Sequence, residues 1–281
     1  RAASKFHDTS RSKTYISLKN LNKKNTILCC IICFFPPIVG FIIPVFILFS
    51  NSLYAFDYEP AFAFFQPFFN SLVISTLSAI FVIFFSFFIV VYSHETRSKL
   101  IKMLAGFSST GYAFPGTMLA IGIVIFIGFL DNIISHIDNY ILIVPDNIYF
   151  GGTFFVLLFA YVVRFQAIGF GALSSGIQKI PQNLFFASRC LGKTFAGTTF
   201  KITLPLLFPF LMAGGLLVFV DTMKELPMTL LLRPFNFETL ATKAYQYAHS
   251  ELMAEASIPA LLIIISGLIP VVLMNKLLRE I

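Results

Sequence analysis

Residues 68–92 read FFNSLVISTLSAIFVIFFSFFIVVY, a run of 25 positions with no Asp, Glu, Lys or Arg. As an α-helix rising 1.5 Å per residue, such a run is ~37 Å long and exceeds the ~30 Å hydrocarbon layer of a bilayer. A transmembrane barrel strand would instead show ~10 alternating residues, and the stretch IFVIFFSFFIVV at 80–91 does not alternate. The segment therefore reads as a membrane-spanning helix. Five further charge-free apolar runs accompany it, at 27–49, 112–130, about 148–163, 203–220 and 258–275. Composition agrees: of 281 residues 57% are hydrophobic and 12% charged, with mean hydropathy +0.85, 36 Phe and no Trp. A soluble domain carries about 25% charged residues, and a disordered chain needs low hydrophobicity. Both classes are excluded.

The net charge of +7 resembles a nucleic-acid signal until its distribution is read. Arg1, Lys5, Arg11, Lys13, Lys19, Lys23 and Lys24 precede the first run. Arg97, Lys99 and Lys102 follow the second, Arg164, Lys179, Arg189, Lys193 and Lys201 the fourth, and Lys276 and Arg279 the sixth. Only Lys224, Arg233 and Lys243 fall on the opposite side, whose other loops carry Asp57, Glu59, Asp131, Asp138 and Asp146. Lys and Arg accumulate on the cytoplasmic side, so the spacing predicts six spans with both termini inside. Contact with lipid headgroups explains the basic leader, and no nucleic-acid partner is expected. The first run is longer than the 7–15-residue core of a signal peptide.

Cys29, Cys30 and Cys33 lie in the first apolar run, where Cys behaves as a small hydrophobe. Cys190 lies apart in a loop, and His7, His94, His136 and His249 are scattered without a metal-binding spacing such as HExxH. No metal site is expected. The chain has no GxxxxGK[ST] and no GxSxG. An intramembrane enzyme would need acid or base side chains within its spans, and the six expected runs hold no Asp, Glu, Lys, Arg or His. Gly116 and Ala120 have the small-xxx-small spacing of close helix contacts, and Pro205 and Pro209 can kink the fifth span.

Two loops hold the polar interest. In the stretch 164–201, Pro181 can open a helix, Leu184, Ala187, Ser188 and Leu191 recur at helical spacing, and Gly192 can end it in a left-handed turn. The segment 177–201 is therefore expected to fold either as a cytoplasmic knob suited to docking in a partner's groove or as an amphipathic loop lying on the membrane surface. Across the membrane, Asp221, Lys224 and Glu225 fall at i, i+3 and i+4 before Pro227, with Arg233 close behind. This patch is expected at the outer mouth as a gate, a docking surface for a binding protein, a salt-bridged helix end or a weak contact for a hard cation.

The knob carries a family resemblance. Phe186-Ala187-Ser188-Arg189-Cys190-Leu191-Gly192, nine residues, then Ile202-Thr203-Leu204-Pro205 resembles the E-A-A-x-x-x-G-x9-I-x-L-P loop of inner-membrane permease subunits of binding-protein-dependent ABC importers. Phe186 stands where that pattern has Glu, and Ser188 where it has the second Ala. Gly111-Tyr112-Ala113-Phe114-Pro115-Gly116-Thr117, the segment 221–235 and Thr239-Leu240-Ala241 narrow the likeness to the C-terminal half of ferric-iron permeases, whose relatives carry polyamines, thiamine or phosphonates.

The resemblance implies an all-α transmembrane fold, the six-helix type I (MetI-like) importer bundle at 26–281. It implies that 1–25 is a linker from a preceding six-span half, in keeping with a first residue Arg1 rather than Met. It further implies coupling through Phe186, Ala187, Ser188, Gly192, Ile202, Leu204 and Pro205 to an ABC ATPase dimer that holds the ATP and Mg. This chain would need no cofactor. The other implied partners are a periplasmic substrate-binding protein, a second permease half and the lipid bilayer of the bacterial inner membrane. An intramembrane enzyme or an ATP-independent carrier is the alternative from a different class.

Overall fold

The computed structural model describes residues 22–55, 61–96, 98–141 and 150–279. Most of the expected leader, and with it Asp57, Glu59, Asp146, His7 and the side chains of His136 and Asp138, lies outside the described residues. Among the described residues six helices are long and apolar enough to cross a membrane, in agreement with the expected six spans.

The first span combines α1 (Lys23–Pro37), a π turn at Ile38–Ile42 and α2 (Ile43–Ala55). Pro36 and Pro37 sit at the junction. Proline supplies no backbone N–H and clashes with the preceding turn, so the hydrogen-bond ladder widens there instead of continuing as a regular helix. No residue of α1 is buried, and only the α2 half packs, against α12.

The second span is α3 (Phe65–Glu95), followed by the short α4 (Lys99–Phe107) and α5 (Gly116–Ile141). Next come α6 (Phe154–Ile177) and the knob, made of α7 (Gln182–Cys190) and α8 (Phe195–Thr198). A π turn at Thr199–Thr203 joins α8 to α9 (Leu204–Met223), the fifth span. Two short helices, α10 (Pro227–Leu232) and α11 (Leu240–His249), lead to α12 (Met253–Arg279).

The packed centre is α3, α6 and α9. Lipid tails are as apolar as Leu, so close approach and polar contacts, rather than escape from water, bring membrane helices together. The sequence supplies small residues for this. Ser71, Ser75, Ser78 and Ser86 are buried along α3. Gly169 of α6 lies so close to α3 that a Cβ there would be 2.5 Å from Ser86 Oγ. A Cβ on Gly176 would likewise be 2.5 Å from the Phe210 ring of α9, and one on Gly214 3.0 Å from Ala172. Gln166 Nε2 donates to Ser86 Oγ at 2.9 Å within this seam. The outer surface is the reverse, with Phe155, Phe46, Ile125, Met118 and Val272 all largely exposed. In water that would be a sticky surface; in a bilayer it faces acyl chains.

The fourth span differs from expectation. The sequence reading ends it at 163 because Arg164 is charged, and assigns Arg164 to a cytoplasmic loop. The helix instead continues to Ile177, and Arg164 is the eleventh of its 24 residues. The expectation of spans without ionisable groups fails at this residue. Sixteen residues, from 148 to 163, are also fewer than a ~30 Å layer needs.

Candidate functional site

The knob is built from local rules. Pro181 (φ −61°, ψ 133°) precedes the first turn of α7, where its missing N–H is not needed. Gly192 ends the helix at φ +77°, a left-handed conformation that costs a residue with a Cβ ~1–2 kcal/mol. Its N–H donates to Arg189 O at 2.9 Å and that of Lys193 to Ser188 O at 3.1 Å, closing the orphan carbonyls of the last turn. The Thr194 side chain then caps α8 by accepting from Gly197 N at 3.2 Å.

The helix has two faces. Phe185 packs inward with Val90, Val91 and Leu173, and the buried Ser188 hydroxyl pairs with Thr198 Oγ1 at 2.8 Å. Phe186 is 62% and Leu191 81% exposed, with Ala187 exposed between them. Arg189, on the open side, pairs with Glu95 at the end of α3. The residues singled out for coupling therefore divide. Phe186, Ala187 and Gly192 lie on the open face, while Ser188 holds the two arms of the knob together. Leu204 packs against the α3–α6 core and Ile202 is half-buried. Pro205, exposed, sits in the first turn of α9. Phe186 presents an apolar ring where the family pattern has a carboxylate.

The charged patch is rearranged relative to its sequence reading. α9 ends at Met223, and Asp221 pairs with Lys224 at 2.8 Å, as the i, i+3 spacing suggests. Glu225 does not share that pair. It turns to Arg164, with Nη1–Oε1 at 2.9 Å. The same Oε1 accepts from Met228 N at 3.3 Å, at the start of α10, where Pro227 opens a new helix rather than merely ending the old one. Arg164 lies at mid-length of α6, so the ion pair sets Glu225, two residues past the end of α9, beside the middle of that helix. Gly116 makes room for the pair: a Cβ there would stand 1.8 Å from Arg164 Nη1 and 3.0 Å from Glu225 Oε1. The guanidinium carbon is 5.9 Å from the Tyr112 ring centroid and 5.7 Å from that of Phe165, within cation–π range. Tyr112 Oη donates to Asp221 at 3.5 Å. Nearby, the Tyr161 and Thr229 hydroxyls pair, and Thr229 Oγ1 donates to Glu225 O at 2.7 Å.

Arg233 belongs to another cluster. It donates to Glu238 at 3.3 Å, as does Gln246 at 2.7 Å, with Lys243 at 3.9 Å. Burial pushes the Glu238 carboxyl up, but the hydrogen bonds from Gln246 and Arg233 and the charge of Lys243 outweigh it and hold it below the usual carboxylate range. Asn70 Nδ2 donates to Glu238 O at 2.9 Å, and Leu240 N to Ser71 Oγ at 2.8 Å, so this loop is fastened to the start of α3. A reciprocal capping box between Thr239 and Thr242 starts α11.

Sequence reasoning missed Arg164. The signal was present: Phe165, Ala167, Ile168 and Phe170 continue the apolar pattern past it. Among the described residues no group of three His, Cys, Asp or Glu side chains is placed to hold a metal ion. The arrangement presents an exposed apolar face on α7 and a paired Arg164 and Glu225 beside the middle of α6.

Comparison with known proteins places these features in context. Residues 95–280 match the family described as binding-protein-dependent transport system inner membrane component. The chain is 27% identical over 213 residues to the Fe(3+)-transport system permease protein FbpB 2 of Haemophilus influenzae, covering 76% of this chain and 39% of that protein. It thus spans about two fifths of the length of that relative. It is 26% identical over 243 residues to the spermidine/putrescine transport system permease protein PotC homolog of Mycoplasma genitalium, covering 82% of this chain and 76% of that one. In fold it resembles a chain of a bacterial alginate ABC transporter solved with an alginate-bound periplasmic protein. That match has a TM-score of 0.70 at 17% identity and covers 92% of this chain and 93% of the other.

Proposed function

The chain belongs to the family of binding-protein-dependent transport system inner membrane components, and on that premise we propose that it is one six-span unit of an ATP-driven importer of ferric iron. It is a multi-pass membrane permease, and ATP hydrolysis falls to a partner ATPase dimer docked on the exposed Phe186–Leu191 face of α7. The observation that carries this reading is the knob: a short helix closed by Gly192 at φ +77° and presenting Phe186 and Leu191 outward, inside the family match. Closure of the ATPase dimer on ATP moves the knob, and α8, continued into α9 through the π turn at Thr199–Thr203, transmits that motion to the packed centre. A periplasmic binding protein delivers cargo at the other side, and a second six-span unit completes the path.

The likeness to the Haemophilus ferric-iron permease supports iron as cargo. A second reading, polyamine import, is supported by the Mycoplasma PotC homolog, three quarters of whose length this chain covers. The absence of a three-ligand metal group among the described residues suits either cargo, since a permease must bind weakly enough to release. The deciding experiment is uptake of radiolabelled ferric citrate and of radiolabelled spermidine by membranes containing the complete importer. Iron uptake abolished by Gly192→Val, with loss of the ATPase from the purified complex, is the expected result. Spermidine uptake in its place overturns the iron assignment, and ATP-independent uptake overturns the coupling role.

A further inference from the structure

Arg164 and Glu225 are 16% and 8% exposed, and three pieces of the fold converge on them: the middle of α6, the α9–α10 turn through Met228 N, and the start of α5 through Gly116. Stability alone does not call for such a pair, because apolar residues of matching volume serve a buried site as well or better. Charges within membrane spans are costly and usually functional. A second carboxylate stands ready beside it. Asp221 lies one turn before Glu225, bonded to Tyr112 Oη, and the Tyr112 ring lies against the Arg164 guanidinium. Asp221 is occupied by Lys224, whose charge also acts on Glu225. Arg164 Nε, buried, has no partner in this arrangement.

We propose that Arg164–Glu225 is a releasable latch fastening the middle of α6 to the α9–α10 turn, and that the transport cycle opens it by passing Arg164 from Glu225 to Asp221. Lys224 moves to Glu225 in exchange. The inference rests on the permease function above. Both arrangements pair all four charges, so neither leaves an uncompensated charge among the spans, and two packings of similar energy are what a switching element requires. The Tyr112 ring guides the guanidinium between its two partners. Gly116 leaves the space in which it swings.

The test uses the complete importer reconstituted in vesicles with its ATPase and binding protein, reading ATP hydrolysis without cargo and uptake of ferric citrate and spermidine per ATP. Glu225→Gln opens the latch and raises cargo-free hydrolysis about fivefold or more, the scale of a typical coupling between sites. Asp221→Asn removes the receiving carboxylate and lowers uptake by a similar factor. Arg164→Gln/Glu225→Gln, which leaves no unpaired charge, folds as the parent does and still shows raised cargo-free hydrolysis. A double variant with parental uptake per ATP overturns the latch, as does an Asp221→Asn variant with parental uptake. A parental complex that takes up neither probe refutes the proposed function and the latch with it. Normal parental uptake beside an unaltered double variant refutes the latch alone.

Discussion

Two charged clusters, built from the same residue types, sit only a few residues apart in the chain and differ in depth. Arg164 and Glu225 are 16% and 8% exposed, whereas Arg233, Glu238 and Lys243 are each about a quarter to a third exposed. The first joins elements 61 residues apart in sequence; the second is confined to one loop and the start of α11. The lesson is that proximity in sequence does not set the importance of a charge. Water offers the loop cluster a substitute for every lost partner, while a charge beside the middle of α6 has only the few carboxylates within its reach.

That contrast can be broken first at its strongest point. Glu225→Gln removes the counter-charge that Arg164 has in this arrangement and is expected to cost up to about 3–5 kcal/mol, less whatever re-pairing with Asp221 restores, seen as a loss of properly assembled, thermally stable protein in detergent. Arg164→Gln/Glu225→Gln should recover most of that loss. If the single and double variants unfold at the same temperature, the pair is not energetically coupled.

A substitution that touches neither charge is the next strongest. Gly116→Ala pushes a methyl into the space of the guanidinium and is expected to destabilise by about 1–3 kcal/mol, the range for overpacking a filled site. Gly122→Ala, where a Cβ meets nothing within 4 Å, is the matched control on the same helix. Equal melting temperatures for these two variants would mean the pair relaxes freely.

Gly192→Ala extends the comparison to the knob. The strain at φ +77° is expected to cost about 1–2 kcal/mol and to be felt in ATPase binding more than in melting, because α7 is peripheral to the packed centre. Retention of the ATPase on an affinity column measures it.

The smallest effect belongs to the loop cluster. Glu238→Gln should change stability by no more than about 1 kcal/mol. The Glu238 carboxyl is held below its usual range, so its contribution is complete above the unfolded value of about 4.3. It is lost as pH falls through the lower folded value. Parent and variant melting temperatures should therefore differ at neutral pH and converge in acid; a difference that grows in acid would contradict the assignment.

Much of the fold was legible in the sequence because its cause is local and additive. A run such as 68–92 is apolar whatever surrounds it, and its length alone decides that it crosses a bilayer. Pro181 and Gly192 mark the ends of α7 for equally local reasons, a fixed φ at one end and a left-handed turn at the other. Phe186 and Leu191 were harder. Helical spacing grouped Leu184, Ala187, Ser188 and Leu191 on one stripe, but Ser188 turns inward to Thr198, and only packing against α8 chooses that orientation. Arg233 looked like part of the Asp221–Glu225 patch because it is close in sequence; the bend at Pro227 and the Glu238 carboxylate separate them.

Hydropathy and the placement of Lys and Arg determined the six spans, the expected sidedness and the knob. Tertiary structure decided which charges are buried and with what they pair. Arg164 was read as the end of a span because a lone charge is costly there. It lies within the helix because the α9–α10 turn carries Glu225, 61 residues later in the chain, to meet it. A local sum of transfer energies contains no term for a counter-charge supplied from so far away.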